Sequence, residues 1–597
     1  MTLSVGRRLG VLTSEKTGTA VRIRSKGFGD SKDVITLHFN GAPVEAQTSD
    51  TVASALIAAG DFGLRLAGAD DKRGVFCGMG VCAECTVMIE GKGESLACMT
   101  PATDCMIVYC AEPRLDLSSA HVGSTLPEST ITPDVVVIGA GPSGLAAAAV
   151  AAEGGLDVVL LDERGKLGGQ YYKQPAPDFD LDEHRLDNQY RRGRALIERA
   201  RASGVRILDR AKVWGAFAPD HIVAASPDER WVIRAQRVVL ATGAYERGVP
   251  MPGWTLPGVM TTGAAQTLSR SYQVSPGQRV LVAGNGPLNM QVAAELAAAG
   301  ARVVALVELA HPVRASNLLP GASMALASPG LIVDGARYGL ALARARVPII
   351  TGSAVVTMTG DANGVTGAVV ARMRSDGTPE LGTERTFEVD AVCMGYGFLP
   401  SNEIARMLGC RHVWDETLKT LVVERNADCR TSVPEIFVIG DSAQVQGAKV
   451  AQARGVIAGA SVLADLNRET SRSRDRELAS AHRDLRRNLR FQTALNRVFA
   501  APVLTIELAT PETTVCRCET LSLETVSRGL DDLTSSAGAS KRVSRVGMGK
   551  CQGRYCGPLV IALSASRSGV TVDERSGFAP QVPFKPTPIS VIASAED

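Results

Sequence analysis

The chain has 597 residues, too many for one hydrophobic core, so three or four domains are expected. A formal net charge of +2 provides no basic field for nucleic acid, and 45% hydrophobic residues is ordinary for a soluble protein. No apolar run approaches the about 18–20 residues of a spanning helix. Residues 1–26 carry Arg7 and Arg8 with no apolar stretch behind them, so neither a secretory signal nor a transmembrane segment is expected.

Residues 1–32 read as a flexible tail. From Val34 onward Ile35, Leu37 and Phe39 alternate, Asn40-Gly41 marks a turn, and Val44 starts a return strand. Residues 51–59 read as a short helix capped by Asp50 or Ser49. Cys77, Cys82, Cys85 and Cys98 follow with the spacing C-x4-C-x2-C-x12-C, that of plant-type [2Fe–2S] ferredoxins. Gly78 and Gly80 keep bulky side chains away from the sulfurs, whereas structural zinc usually takes paired C-x2-C knuckles. This order predicts a β-grasp [2Fe–2S] domain over 33–112, then a polar linker over 112–133.

Val135-Val136-Val137-Ile138 is continuously apolar, as a strand buried on both faces of a parallel sheet should be. It runs into Gly139-Ala140-Gly141-Pro142-Ser143-Gly144 and an alanine-rich helix. The glycines permit a tight turn, close approach of a pyrophosphate and close helix packing, and the helix N-terminus supplies free N–H groups. Asp162 ends the next strand and is placed to bind an adenosine ribose, with Glu163 as the neighbouring candidate. Gly168-Gly169-Gln170, Ala241-Thr242-Gly243 and Gly440-Asp441 resemble the further fingerprints of two-dinucleotide flavoproteins. That resemblance implies FAD and assigns the ribityl chain to Asp441.

A similar unit recurs at Gly284-Asn285-Gly286-Pro287-Leu288-Asn289, with Glu308 ending its next strand. Asn289 replaces the third glycine, where a side chain crowds the helix–strand contact. Glu308 favours a ribose 2′-OH over a 2′-phosphate. Three readings stand: NAD(H) turnover, static binding of NAD or another adenine nucleotide, and an empty domain.

The segment between the flavin fold and the C-terminus is charged and helical in character. The second cysteine set is Cys516, Cys518, Cys551 and Cys556, spaced C-x-C-x32-C-x4-C. It resembles the [2Fe–2S] domain of bacterioferritin-associated ferredoxin (BFD), with zinc or a mononuclear metal as the alternative. Arg517, Lys550 and Arg554 either offset cluster charge or are solvated. The fold class is therefore α/β, with duplicated Rossmann-like domains between two [2Fe–2S] domains. The FAD domain takes 134–272 and 388–465, the second Rossmann domain 273–387, a helical linker 466–509, the BFD-like domain 510–570 and an irregular tail 571–597.

Cys105, Cys110, Cys393, Cys410 and Cys429 match no ligand spacing, and the free thiols suit a reducing cytoplasm. No C-x2-C or C-x4-C pair lies between the flavin fingerprints, which argues against disulfide reduction. His184 and His311 read as solvated, and no catalytic base is identified.

Three stretches carry a closer resemblance. They are the N-terminal cysteine motif, Asp390-Ala-Val-Cys-Met-Gly-Tyr-Gly-Phe-Leu-Pro-Ser401, and the Cys-Arg-Cys…Lys-Cys-Gln-Gly-Arg-Tyr-Cys-Gly terminus. Together they resemble the α subunit of heteromeric bacterial opine, amino-acid and amine dehydrogenases, including hydrogen cyanide synthase, hydroxyproline and proline dehydrogenases and sarcosine oxidase α. In several relatives the ferredoxin-like piece is a separate subunit, and here it is fused. Sarcosine oxidase α continues into a folate-binding domain, so folate-coupled demethylation is not expected of a chain ending at Asp597.

The resemblance implies a partner FAD-dependent β subunit of glycine-oxidase type that oxidises a C–N bond. It also implies an FMN at the interface between the subunits in many members, and electron transfer through this chain to an external acceptor. The competing readings are a self-contained NADH-dependent ferredoxin-type reductase and a non-enzymatic assembly scaffold.

Overall fold

The computed structural model describes residues 21–31, 33–68, 70–112, 126–469, 471–531 and 536–593. Two parallel five-stranded sheets form its centre. The first runs in the order Arg206–Leu208, Val158–Leu161, Val135–Ile138, Arg237–Leu240, Ile436–Val438, with every neighbouring pair parallel. Side chains alternate between its faces. Val135, Val137 and Leu160 pack into one core with the helices Pro142–Glu153 and Ala448–Asp465. Val136, Ile138, Val159 and Leu161 pack into another, against Ile222, Trp231 and Ile233 of a four-stranded sheet. Burial on both faces is why the strand reads as an unbroken apolar run.

The second sheet runs Val259–Thr261, Ala391–Gly395, Arg279–Gly284, Arg302–Glu308, Ile349–Thr351, again all parallel. This corrects the expected boundaries of 273–387. Val259–Thr261 and Ala391–Gly395, assigned in sequence to the FAD domain, pair with this sheet instead. Their apolar runs are equally compatible with either sheet, and only pairing decides: Ala391–Gly395 is in register with Arg279–Gly284, and Val259–Thr261 with Ala391–Gly395.

The N-terminal sheet has the order Ala42–Gln47, Val34–Phe39, Ile107–Cys110, Thr86–Ile89, Gly93–Leu96. Asn40 and Gly41 both take positive φ, as a two-residue hairpin turn requires. The helix Val52–Ala58 is capped by Thr51, not by Asp50 or Ser49. The Thr51 hydroxyl accepts from Ser54 N and Ser54 Oγ accepts from Thr51 N, a reciprocal box that needs this three-residue spacing. Asp50 is engaged elsewhere, 2.6 Å from Arg22.

Two expected irregular segments hold structure. Phe28–Ser31 is a strand pairing with Phe179–Leu181, and Glu128–Ile131 joins the four-stranded sheet. Residues 1–20 of the expected tail and 113–125 of the expected linker lie outside the described residues. The charged segment is one long helix, Arg472–Val498. It leads to a small C-terminal unit whose helices Leu523–Asp531, Ala537–Ser544 and Gly557–Ser568 enclose Val515, Val526, Val546 and Val560. The final segment returns to the FAD domain. Phe584 enters its core, the short helix Ile589–Ala593 forms, and Arg230 donates to the Val591 carbonyl at 3.0 Å. Among the described residues no single helix is long and apolar enough to cross a membrane.

The helices Pro142–Glu153 and Ala448–Asp465 touch backbone to backbone, because a Cβ on Gly455 would run into the Ser143 carbonyl. Gly455→Leu is expected to cost about 1–3 kcal/mol of stability and to lower flavin content, read by thermal melting and by flavin released on denaturation.

Candidate functional site

The first glycine loop has the geometry of a dinucleotide cradle. Gly139 has φ of 106°, a Cβ on Gly144 would strike the Gly139 carbonyl, and Gly141 faces open space. That space lies at the N-terminus of a helix with free N–H groups, where a pyrophosphate can approach. Gly169 closes the loop from the side, its would-be Cβ only 2.8 Å from Gly141 Cα. Gly168 N donates to the Ala140 carbonyl at 2.9 Å. Asp162 accepts from Ala140 N at 2.7 Å and Arg164 N at 2.8 Å, and its recessed position pushes its pKa up to about 6. Its neighbour Glu163 pairs with Lys585 of the returning C-terminal segment.

The distant fingerprints converge on this loop. Thr242 Oγ1 donates to the Ser401 carbonyl at 2.5 Å, and Ser401 N donates to the Gly243 carbonyl at 2.9 Å. Gly440 packs against Ser143, the second residue of the fingerprint helix. Asp441 Oδ1 accepts from Gln446 N at 3.0 Å and Gly447 N at 3.2 Å. Behind Gln170, the buried Lys173 donates to the Gln170 carbonyl at 2.7 Å and to Gln266 Oε1 at 3.0 Å. Burial, with Arg164 nearby, pushes the Lys173 pKa down. Burial pushes Glu246 up, and its carboxylate accepts from Gly263 N at 2.8 Å. Neither of these two ionisable side chains stands in a motif that the sequence would single out.

In the second glycine loop Asn289 fills the helix–strand contact. Its Nδ2 donates to the Gly395 carbonyl at 2.9 Å and its Oδ1 accepts from Thr262 at 2.8 Å. The side chain is buried beneath the loop and ties three elements together. Glu308 accepts from Gly286 N and Ala310 N, both at 3.0 Å, and burial pushes it up to about 7. Gly286 itself faces open space. Asn285 Nδ2 donates to the Phe499 carbonyl at 3.1 Å, so the end of the long linker helix crosses this loop.

Cys77, Cys82, Cys85 and Cys98 are all buried and free. Backbone N–H groups of Val81 and Cys82 point at Cys77 Sγ, each at 3.4 Å, and Glu84 N points at Cys82 Sγ at 3.4 Å. The thiols associate in pairs, Cys77 with Cys82 and Cys85 with Cys98. In the second set Cys516 pairs with Cys556 and Cys518 with Cys551. In the first set two-by-two pairing suits two irons, each taking two thiolates.

The charges around the first set point the same way. Glu84 is buried among three guanidinium groups, 2.6 Å from Arg65, 3.1 Å from Arg517 and 3.8 Å from Arg73. Burial favours its neutral form, but attraction to Arg517, Arg65 and Arg73 wins and holds it below the usual carboxylate range. Arg73 also pairs with Asp71, yet Arg73 Nε and Nη2 and Arg65 Nε find no hydrogen-bond partner. Buried cations in excess are costly without an anion. The net negative charge of a tetrathiolate cluster fits that need. Arg554 is likewise buried, paired with Glu403 at 2.8 Å, while the half-exposed Lys550 reaches Glu94 at 2.7 Å.

Similarity to known proteins follows the same division. Residues 133–455 match the pyridine nucleotide-disulphide oxidoreductase family and residues 32–112 a 2Fe-2S iron-sulfur cluster binding domain. The opine oxidase A subunit of Agrobacterium tumefaciens is 30% identical over 472 residues, 77% of this chain and 91% of that one. The HcnB subunit of hydrogen cyanide synthase from Pseudomonas aeruginosa is 31% identical over 463 residues, 76% of this chain and 97% of that one.

The chain belongs to the family of HcnB and the opine oxidase A subunit.

Members of this family are oxidoreductases, and this HcnB homologue is an FAD- and [2Fe–2S]-dependent one. The crystal structure of L-proline dehydrogenase from P. horikoshii shares its fold, with a TM-score of 0.69 at 18% identity, covering 96% of this chain and all of that one. Glu84 carries no signal in the sequence, because its partner Arg517 lies 433 residues away.

Glu308 generates a pH expectation for this homologue. Its pKa is raised on folding from 4.5 to about 7, so its contribution to stability is complete below about pH 4.5 and is lost as pH rises through 7. Glu308→Gln should flatten that part of the profile, measured as melting temperature between pH 5 and 8 with wild type as reference. A variant as steep as wild type would assign the slope to other groups.

Proposed function

We propose that this chain is the electron-transfer subunit of a heteromeric dehydrogenase that oxidises the C–N bond of an opine, amino acid or secondary amine. The oxidation itself is assigned to a partner subunit, FAD-dependent and of glycine-oxidase type. The observation that carries this reading is the placement of two cysteine sets, seven of the eight thiols buried and Cys518 half-buried, beside one flavin fold. FAD accepts electrons in pairs and releases them singly, and [2Fe–2S] clusters carry them one at a time.

In this reading the residues divide the work. The loop Gly139, Gly141 and Gly144 binds the pyrophosphate, with Gly168, Gly169 and Gln170 closing over it. Asp162 and Glu163 stand at the ribose end, and Asp441 orients the ribityl chain. Thr242 and Gly243 hold the second wall of the cleft. Cys77, Cys82, Cys85 and Cys98 hold one cluster. Cys516, Cys518, Cys551 and Cys556 hold a second in a BFD-like unit, and the buried Arg517 and Arg554 offset its charge. An FMN at the subunit interface, an external acceptor and a reducing cytoplasmic setting complete the reading. Relatives named as subunits of larger enzymes support a heteromeric assembly.

The second glycine loop is read as a nucleotide site without hydride traffic. Gly284, Gly286, Asn289 and Glu308 form its floor, and the open face at Gly286 leaves room for a phosphate. Glu308 already serves two backbone N–H groups, and the linker helix crosses at Asn285. Both features favour static binding over exchange of NADH.

The test is iron and flavin content of the chain purified alone without oxygen, followed by its visible spectrum after adding NADH. About four irons and one FAD per chain, with no bleaching by NADH, is the expected outcome. Rapid bleaching by NADH would make the chain a reductase in its own right, and an iron-free, colourless preparation would make it a scaffold.

A further inference from the structure

The two cysteine sets are far apart in sequence and in direct contact in the fold. Glu84 lies between the ligands Cys82 and Cys85, and Arg517 between Cys516 and Cys518. Their side chains meet at 3.1 Å, both fully buried. Arg517 Nη1 also donates to the Trp254 carbonyl at 2.6 Å, and its guanidinium lies 4.0 Å from the Phe76 ring centre and 4.7 Å from that of Trp254. Phe76 immediately precedes Cys77, and Tyr555 immediately precedes Cys556. Their rings meet edge to face with centres 5.4 Å apart. Cys518 Sγ is 3.9 Å from the Cys82 carbonyl oxygen. Lys550, next to Cys551, closes the rim against Glu94 at 2.7 Å.

These contacts are made by the ligand segments themselves, not by distant parts of the two domains. We propose that Glu84 and Arg517 are positioning residues that clamp the two ligand loops together and set two [2Fe–2S] centres in direct magnetic and electronic contact. The proposal rests on the two-cluster reading above. A buried ion pair suits this role, because losing either partner leaves an uncompensated charge and so resists separation. Arginine suits it further, since its planar group stacks on Phe76 while still bonding Glu84 and Trp254. Exchange between the centres moves one electron from one to the other, with no bond made or broken and no proton transferred.

Both ligand loops also touch the flavin fold: Arg164 Nη2 donates to the Gly78 carbonyl at 3.3 Å, and the Tyr555 and Tyr245 ring centres are 5.8 Å apart.

The experiment uses the full-length chain, purified without oxygen and reduced completely with dithionite, and reads electron paramagnetic resonance and iron content. Each reduced centre carries one unpaired electron. The wild-type spectrum is expected to differ from the sum of the Cys82→Ser and Cys518→Ser spectra, split or broadened by interaction between the centres. Glu84→Gln should keep the wild-type iron content and lose that splitting, and Arg517→Lys, which keeps the charge opposite Glu84, should retain part of it. A wild-type chain with about four irons whose spectrum equals the sum of the two single-centre spectra overturns the proposal and leaves the two-cluster reading standing. So does unchanged splitting in an iron-replete Glu84→Gln. About two irons in the wild type overturns the two-cluster reading and the proposal with it. The wild-type comparison decides the contact even where Glu84→Gln fails to accumulate.

Discussion

A cluster held by four thiolates is an anion buried away from water, and everything around it must supply compensating charge without letting solvent in. This chain meets that constraint with arginines rather than lysines. Arg65, Arg73 and Arg517 present fixed, delocalised charge and tolerate apolar neighbours such as Phe76 and Trp254. One carboxylate, Glu84, organises the three guanidinium groups. The backbone adds N–H groups directed at Cys77 and Cys82. The middle of the molecule is arranged around the same need, since Trp254 and Tyr245 of the flavin fold wall in the C-terminal cysteines.

The flavin fold is legible in the sequence because its signals are local. A strand, a glycine turn and a helix N-terminus are contiguous, and their spacing is dictated by the pyrophosphate they admit. The N-terminal cysteine loop is legible for the same reason. Boundaries between the two Rossmann units are not. Ala391–Gly395 is as apolar as any strand of the first sheet, and its placement depends on register with Arg279–Gly284, which no local pattern encodes. Asn289 stands out as a departure from the glycine pattern. Its actual partners, Gly395 and Thr262, lie 106 and 27 residues away. The cap of the first helix differs by one residue from expectation because Ser49, Asp50 and Thr51 all suit the position, and only the reciprocal bond to Ser54 separates them.

The second Rossmann unit keeps the glycine loop of a nucleotide fold and braces it from behind. Its loop retains an open face at Gly286, and its acid is retained at Glu308. Asn289 replaces a packing glycine with a hydrogen-bonded strut, stiffening the loop against the strand Ala391–Gly395 and the helix Thr262–Tyr272. The linker helix Arg472–Val498 ends against the same loop, so the unit also serves as the platform from which the C-terminal cysteine unit is launched.

The Glu84–Arg517 pair joins residues 433 positions apart, which has a consequence for biosynthesis. At translation speeds of about 5–20 residues per second, Arg517 emerges roughly 20–90 s after Glu84. Throughout that interval the first ligand loop lacks both the guanidinium beside Glu84 and the aromatic wall at Tyr555. Iron delivered during synthesis meets an N-terminal site still open to solvent on the side that the C-terminal unit later covers. Arrival of that unit seals it. Maturation of this chain is thus ordered in time by its topology: the cysteine loop made first waits for the one made last to close over it.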